Sequence, residues 1–244
     1  LSAQIMVEQG AKCLVTLGGD GTNRIVTKGC GAIPLMPIST GTNNVFPNMI
    51  EASIAGLAAG LVACGQADEA VFHAPRIDVM RPDGDEVIDI ALIDAAVYAE
   101  RFIASRAIWD GSKIREVMLT RAEPGNIGLS SIGSHLLGGD YPHGHGLYLK
   151  VTPEPSYRQV LAPIAPGLVQ PINVASSRVL APGDEVIISH AEPHVLALDG
   201  EREHGLKPGS SLRLRFNPNG PRVIDARKAI EIAARSGFFI NGVI

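Results

Sequence analysis

The sequence predicts an open α/β unit at the N-terminus, an antiparallel β unit after it, and a last helix that returns to the first unit. Three observations carry this. Residues 1–64 alternate apolar runs, glycine turns and helical spacing, the pattern of a parallel α/β sheet. Near residue 70 the texture changes to short alternating runs between Pro, Gly, Asp and Asn turns. Asp225 to Arg235 then restores helical spacing. The expected domains are 1–68 joined by 223–244, and 69–222.

Taken in order, Ser2 to Gln9 read as the end of a helix with Gly10 as its C-terminal cap. Cys13 to Leu17 are a short apolar run, expected as a buried strand, ending at Gly18-Gly19. Ala32 to Ile38 form a second run, closed by Ser39-Thr-Gly-Thr42. Ile50, Ile54, Leu57 and Leu61 fall on one helical face, stopped by Gly65. Arg76 to Arg81, the turn Pro82-Asp-Gly-Asp85 and Glu86 to Ile93 read as a hairpin. Further strands are expected at Gly146–Val151, Glu185–Ser189, Val195–Leu198 and Leu212–Phe216. The last helix places Ala226, Ala229, Ile230 and Ala233 on one face, with Asp225 as N-cap and Gly237 as its stop.

Composition excludes several classes. At 244 residues, with 45% hydrophobic and 19% charged, the chain can bury a full core and is not of disordered type. A formal net charge of -4 without a Lys/Arg run gives no general attraction for nucleic acid. No apolar stretch reaches the roughly 18 residues of a membrane span. Cys13, Cys30 and Cys64 are an odd, widely spaced set, unsuited to a disulfide framework or zinc site, so a reducing cytoplasm is expected. No secretory leader is read. Because the first residue is Leu, the native start is expected to be missing.

Function is concentrated in two turns. Leu17-Gly-Gly-Asp-Gly-Thr-Asn23 follows the first strand directly. Glycines permit left-handed backbone and close ligand approach, and N–H groups at such a turn or at the following helix start converge on an anion. Asp20 fits an anion site if Mg²⁺ bridges it to phosphate, or if it accepts a proton from an attacking hydroxyl. An isolated GGDG is more often a plain turn. Here Thr16, Thr22 and Asn23 surround it, and Ser39-Thr-Gly-Thr-Asn-Asn44 repeats the theme at a second strand end. Ligands of open parallel sheets sit at the carboxyl ends of strands.

GGDGT (Gly18 to Thr22), Pro37-Ile-Ser-Thr-Gly-Thr-Asn-Asn-Val-Phe46 and Leu198-Asp-Gly-Glu201 occur here in the order found in the NAD kinase and diacylglycerol kinase-like superfamily. The chain resembles its ATP-NAD kinase-like, acetoin-catabolism protein X branch, which Leu119-Thr-Arg-Ala-Glu-Pro-Gly-Asn-Ile-Gly-Leu-Ser130 also resembles. The resemblance extends from Cys13 to about Phe216. It implies a kinase with an α/β nucleotide-binding domain, a β-sandwich, and an active site in the cleft between them.

On that resemblance Gly18, Gly19, Gly21, Thr22 and Asn23 would meet phosphates of ATP or NAD, helped by Thr42, Asn43 and Asn44. Asp20 would be the essential acid or a metal-linked carboxylate. Glu201 would act on the acceptor hydroxyl, with Asp94, Arg121, Glu123, Asn126 and Asp199 lining the acceptor site. ATP and Mg²⁺ are the implied cofactors, and a homo-oligomer the implied assembly. Two departures stand out. Val45 occupies the place where the lipid kinases carry Asp, and Ile93-Asp94 stands where NAD kinases carry Asn-Glu. The family's first strand and helices do not precede GGDGT here, so a truncated or processed product with an exposed sheet edge is expected.

Other candidates have plainer readings. His143-Gly-His145 could ligate a metal but reads first as an exposed loop. His190, His194 and His204 bracket the Asp-Gly-Glu turn and read as surface or half-buried strand residues. Asp78, Asp89, Asp94 and Glu100 punctuate strands, where solvated faces are the default. Arg101 and Arg106 beside Phe102 and Trp109 are more often surface pairs than a base-stacking site. Cys30 has no base beside it.

The leading expectation is an ATP-dependent, NAD kinase-like phosphotransferase acting on a hydroxyl of NAD or a related nucleotide. The alternatives are a lipid (diacylglycerol-type) or small-polyol kinase, and a nucleotide-binding regulatory protein without turnover. Phosphoryl transfer suits these residues because it needs positioning and charge neutralisation more than covalent chemistry.

Overall fold

The structure, a computed structural model, describes residues 1–100, 110–138, 140–156 and 158–240. From the N-terminus run α1 (Ser2–Glu8), β1 (Leu14–Leu17), α2 (Asp20–Cys30), β2 (Leu35–Ile38), α3 (Ala52–Ala63) and β3 (Val71–His73). There follow β4 (Arg76–Met80), β5 (Val87–Ala91), β6 (Asp94–Tyr98), β7 (Ile114–Leu119), α4 (Ser130–Leu137), β8 (Gly146–Val151), β9 (Gln159–Ala165) and β10 (Leu168–Leu180). The chain ends with β11 (Glu185–Ser189), β12 (His194–Leu198), β13 (Glu201–Leu206), β14 (Ser211–Asn217), β15 (Arg222–Ile224) and α5 (Ala226–Arg235). Two compact units result: Leu1–Ala74 with Asn219–Ile244, and Pro75–Pro218. β3 and β15 lie in the first unit's sheet, so the division falls a few residues away from the 68/69 and 222/223 steps read in the sequence.

The first unit is an α/β layer whose sheet order is β1-β2-β15-β3. β1 and β2 are parallel, with Leu14 opposite Leu35 and Leu17 opposite Ile38, so their carboxyl ends coincide. β15 joins β2 in parallel and pairs antiparallel with β3. β1 is the sheet edge: Leu14 and Thr16 are buried, but Val15 and Leu17 are 52% and 68% exposed. The expected buried strand is therefore a half-buried edge strand.

The apolar face of α3 also differs from expectation. Leu61 is buried as expected, but Ile54 and Leu57 are 40% and 46% exposed, and the helix buries Ala55, Ala58, Ala59 and Val62 in their place. These small residues pack against Ala226, Ala229 and Ala233 of α5 in one core cluster. Alanine on both faces lets the helices approach closely, and close packing is what a core rewards. Asp225 caps α5 by accepting from the Lys228 N–H at 3.0 Å, as the spacing predicts.

The second unit is a β-sandwich. Its seven-stranded sheet runs β13-β12-β6-β7-β8-β10-β9 and its four-stranded sheet β11-β14-β4-β5. Met118, Tyr148, Leu196 and Leu198 from the larger sheet meet Ile77, Val79, Leu214 and Phe216 from the smaller. Each such buried side chain contributes about 1.5–3 kcal/mol relative to exposure. The far face of the larger sheet packs Leu119, Leu147 and Leu149 against Ile132 of α4. Gly133 makes this approach possible, since a Cβ there would fall 2.8–2.9 Å from Leu147, Ala122 and Leu119 side chains. The 76–93 hairpin forms as β4 and β5.

Candidate functional site

In the first unit both predicted turns lie at the carboxyl ends of β1 and β2. The Gly18 N–H donates to the Ile38 carbonyl at 3.1 Å, joining the strand ends. α2 begins at Asp20 with Gly19 as N-cap and no side-chain hydrogen bond at the cap, the kind of helix end whose first-turn N–H groups can receive an anion. Neither Gly18 nor Gly19 has a positive φ. They are needed for space: a Cβ on Gly18 would sit 2.6 Å from Thr22 Oγ1, and one on Gly19 2.5 Å from Asn44 Oδ1.

The turns are tied together from within. The Asp20 Oδ1 accepts from the Phe46 N–H at 2.8 Å, and both Asp20 oxygens lie 3.1 Å from the Val45 N. Asn44 Nδ2 donates to Ser39 Oγ at 2.7 Å, and Ser39 Oγ donates to the Gly41 carbonyl at 2.7 Å. Beneath the first turn, Thr16 Oγ1 donates to Asn23 Oδ1 at 2.6 Å and Asn23 Nδ2 donates to the Gly19 carbonyl at 2.9 Å. Asn23 is fully buried, so it braces the turn from below, while Thr22, Thr42 and Asn43 are exposed on it. Arg24, one helical turn after Asp20, is 1% exposed and was not singled out by the motif; its signal was the i, i+4 spacing from Asp20.

A chain-held metal does not fit here. Val45 offers no carboxylate, the Asp20 oxygens accept main-chain N–H groups, and the described residues contain no cluster of three ligating side chains.

In the second unit Asp94, Asp199 and Glu201 lie at one end of the seven-stranded sheet, where the loop carrying Arg121, Glu123 and Asn126 begins; the far part of that loop meets β9, the Gly128 N–H donating to the Pro163 carbonyl at 2.9 Å. Asp199 and Gly200, at φ 51° and 79°, form the two-residue hairpin turn between β12 and β13. The Asp199 carboxylate accepts from the N–H groups of Leu92 (2.9 Å), Ile93 (2.7 Å) and Asp94 (3.2 Å), and its own N–H donates to the Asp94 carbonyl at 2.9 Å. Thr120 Oγ1 donates to the Leu92 carbonyl at 2.7 Å, bringing the start of the Arg121 loop to the same place. Asp199 thus clamps the strand connection, and Glu201 stands exposed just beyond it.

Arg121, Glu123 and Asn126 lie in the loop between β7 and α4. The Asn126 N–H donates to the Glu123 carbonyl at 3.3 Å. Burial pushes the Tyr141 phenol well above its ordinary range, with Arg121 opposing and Glu123 reinforcing, so both charges reach that ring. The Tyr141 hydroxyl donates to the His145 carbonyl at 2.5 Å. A separate cleft of about 320 Å³, lined by Asp110, Ser112, Thr152, Gln170 and Asn173 among others, contains none of the predicted site residues.

The expectation of solvated strand carboxylates is overturned. Asp78 is fully buried between Arg76 (2.7 Å), Arg215 (3.5 Å) and Asn217 (2.8 Å), and Asp89 and Asp94 are each 8% exposed. Asp89 faces the other sheet of the sandwich, whereas Asp78 lies on the opposite face of its own sheet, across from Arg215, and is buried among those arginines and Asn217; alternation alone reveals neither. His143 and His145 lie in an exposed loop. His194 is buried and stacked on His190, ring centres 4.0 Å apart. Burial pushes the Cys13 thiol up to about 11, which leaves it unreactive. Arg101, Phe102, Arg106 and Trp109 lie outside the described residues.

The chain thus joins an open α/β unit, with an uncapped helix end at two interlocked turns, to a β-sandwich. Residues 2–67 match the ATP-NAD kinase N-terminal domain. Residues 75–219, more than half of the chain, match the acetoin catabolism protein X C-terminal domain. The chain belongs to the acetoin catabolism protein X family. It is 36% identical over 247 residues to acetoin catabolism protein X of Cupriavidus necator, covering 96% of this chain and 66% of that protein. The chain therefore spans about two thirds of the length of that relative.

Solved structures give more distant likenesses. Yeast NADH kinase complexed with NADH has a TM-score of 0.48 at 17% identity, over 96% of this chain and 67% of that one. An NAD kinase from Archaeoglobus fulgidus in complex with ATP has a TM-score of 0.46 at 13% identity, over 94% and 84%. No helix among the described residues is long and apolar enough to cross a membrane.

Proposed function

We propose that this chain is an ATP-dependent phosphotransferase of NAD kinase type, acting on a hydroxyl of NAD or a related nucleotide. The observation that carries this reading is the interlock of the two turns, in which the Asp20 carboxylate fixes Val45 and Phe46 while the N-terminus of α2 stays uncapped. Such a cradle offers fixed N–H dipoles to phosphate oxygens, which is where phosphoryl transfer needs charge neutralised. Gly18, Gly19, Gly21 and Thr22 hold phosphate, and Thr42, Asn43 and Asn44 extend the cradle. Mg²⁺ enters with ATP, carried on its phosphates and water. Asp20 acts chiefly by holding the second turn in place.

Acceptor contacts come from the end of the seven-stranded sheet. Glu201, an exposed carboxylate at the turn after β12, takes the acceptor hydroxyl's proton; Arg121, Glu123 and Asn126 orient the acceptor, and Asp94 and Asp199 shape the strand connection beneath it. The charges of Arg121, Glu123 and Glu201 favour a polar nucleotide over a lipid. The test is incubation of the full-length protein with ATP, Mg²⁺ and NAD, followed by chromatographic detection of NADP. Product that disappears in Glu201→Gln supports the reading.

A second reading, a nucleotide-binding protein without turnover, is favoured by the engagement of both Asp20 oxygens and by Val45. Calorimetric binding of ATP or NAD with no phosphorylated product would select it.

A further inference from the structure

Asp89 and His204 are buried or half-buried ionisable groups that the reading above leaves unused. Asp89 lies on β5, the edge of the four-stranded sheet, opposite Val79 and so on the same inner face as Ile77 and Ala91. His204 lies on β13, the edge of the seven-stranded sheet. Its Nε2 is 3.1 Å from Asp89 Oδ2, with the imidazole 29% exposed and the carboxylate 7%. This contact closes the sandwich edge between the two sheets.

β13 carries a bulge that gives the contact its meaning. Glu201 pairs with Leu198, Arg202 with Ala197, and His204 with Leu196, so one extra residue is inserted at position 203. In an uninterrupted strand, residues three apart point to opposite faces. The insertion returns His204 to the face of Glu201, the one on which Leu196 and Leu198 enter the inter-sheet core. Two strand positions separate them, about 7 Å along the chain, a span that one water bridges between a glutamate and an imidazole. Among the described side chains of the two edge strands, Asp89 and Glu201 are the charged groups on this face; β12 adds the titratable His194, opposite Leu206, beside Leu196 and Leu198.

We propose that His204, held by Asp89, is a positioning residue that sets the proton state of Glu201. The proposal rests on the acceptor role given to Glu201 above. With its Nε2–H donated to Asp89, His204 carries its lone pair on Nδ1, the ring nitrogen away from Asp89. As the acceptor oxygen bonds to the γ-phosphorus, its proton passes to a Glu201 oxygen and on to His204 Nδ1. The bond from the γ-phosphorus to the bridging oxygen breaks, and its electron pair leaves on ADP. Asp89 stabilises the imidazolium so formed.

Two measurements on the full chain test this. Side-chain NMR of the histidines, with His204 identified by the signal lost in His204→Gln, follows its titration. Glu201→Gln is expected to lower the His204 pKa by about half a unit or more, because an anion that favours the charged form is removed; Asp89→Asn is expected to do the same. An unmoved His204 titration in Glu201→Gln overturns the proposal. In the ATP-dependent phosphorylation of NAD, His204→Gln is expected to lower kcat about tenfold and move the acidic limb of the pH profile, leaving KM for ATP unchanged. A uniform loss at every pH overturns the proposal in favour of a purely structural latch. No product from the unsubstituted protein, with the NMR coupling intact, overturns the phosphotransfer reading while supporting the coupling.

Discussion

Asp20 and Phe46 are joined by a 2.8 Å hydrogen bond from the main-chain N–H to the carboxylate across 26 residues of sequence. With the Val45 N–H on the same carboxylate, it fastens the second glycine turn to the start of α2. Asp20→Ala leaves these part-buried N–H groups without their charged acceptor and is expected to cost about 1.5–3 kcal/mol. That lowers Tm by about 4–10 °C in a chain of this size. ATP affinity, measured by calorimetry, is expected to fall alongside stability, because the cradle loosens. A variant with full ATP affinity and lost turnover would instead make Asp20 a purely chemical group.

Gly19 tests the cradle without removing any polar group. The Cβ of Gly19→Ala would stand 2.5 Å from Asn44 Oδ1, so Asn44 must swing away and release Ser39 and Gly41. The expected cost is about 1–3 kcal/mol of overpacking, with ATP binding weakened tenfold or more. Gly10→Ala is the control: its Cβ meets nothing within 4 Å, although its φ of 85° strains the backbone. It should lose stability and keep ATP affinity.

The clamp made by Asp199 predicts a stability phenotype for what a motif reading treats as a ligand. Asp199→Ala orphans the N–H groups of Leu92, Ile93 and Asp94 in a buried place, each worth about 1–3 kcal/mol. It also forces alanine into φ 51°, which asparagine tolerates better. Chemical denaturation is expected to rank unsubstituted above Asp199→Asn above Asp199→Ala. Equal midpoints would mean that the clamp contributes nothing.

How much of this was legible in the sequence follows from the range of each interaction. The β4–β5 hairpin, the Asp225 cap and the order of the glycine turns are local, and residue type with spacing specifies them. The buried alanine face of α3 was not legible, because hydrophobicity ranks Ile54 and Leu57 above the residues that let α5 come close. Asp89 is buried by a sheet formed from distant segments, and Asp78 by Arg215 and Asn217 of β14, so strand alternation gave the periodicity and not the solvent. At the site, the motif located Asp20 and Asp199 but not their partners. Those partners are main-chain N–H groups, which have no sequence signature. The bulge that returns His204 to the face of Glu201 is equally silent, since it shows only in the register with β12.

The histidine pair predicts a pH dependence of stability. The His190 pKa is held below its ordinary value of 6.5, first by burial and then by His194 stacked on it, while Glu116, 2.9 Å from His190 Nε2, opposes the shift. Glu116 also accepts from the Tyr148 hydroxyl, whose phenol is pushed up by burial and by that carboxylate. A histidine whose folded pKa is depressed is protonated more readily in the unfolded chain. Its contribution is therefore complete above about pH 6.5 and is lost as pH falls below that value. The slope from this single group cannot exceed about 1.4 kcal/mol per pH unit, the value for one proton. Denaturation midpoints measured between pH 5 and pH 8 should fall on the acid side for the unsubstituted protein. His190→Gln should flatten that fall, since its amide does not titrate in this range. An unchanged acid slope would mean that the low-pH loss comes from other groups.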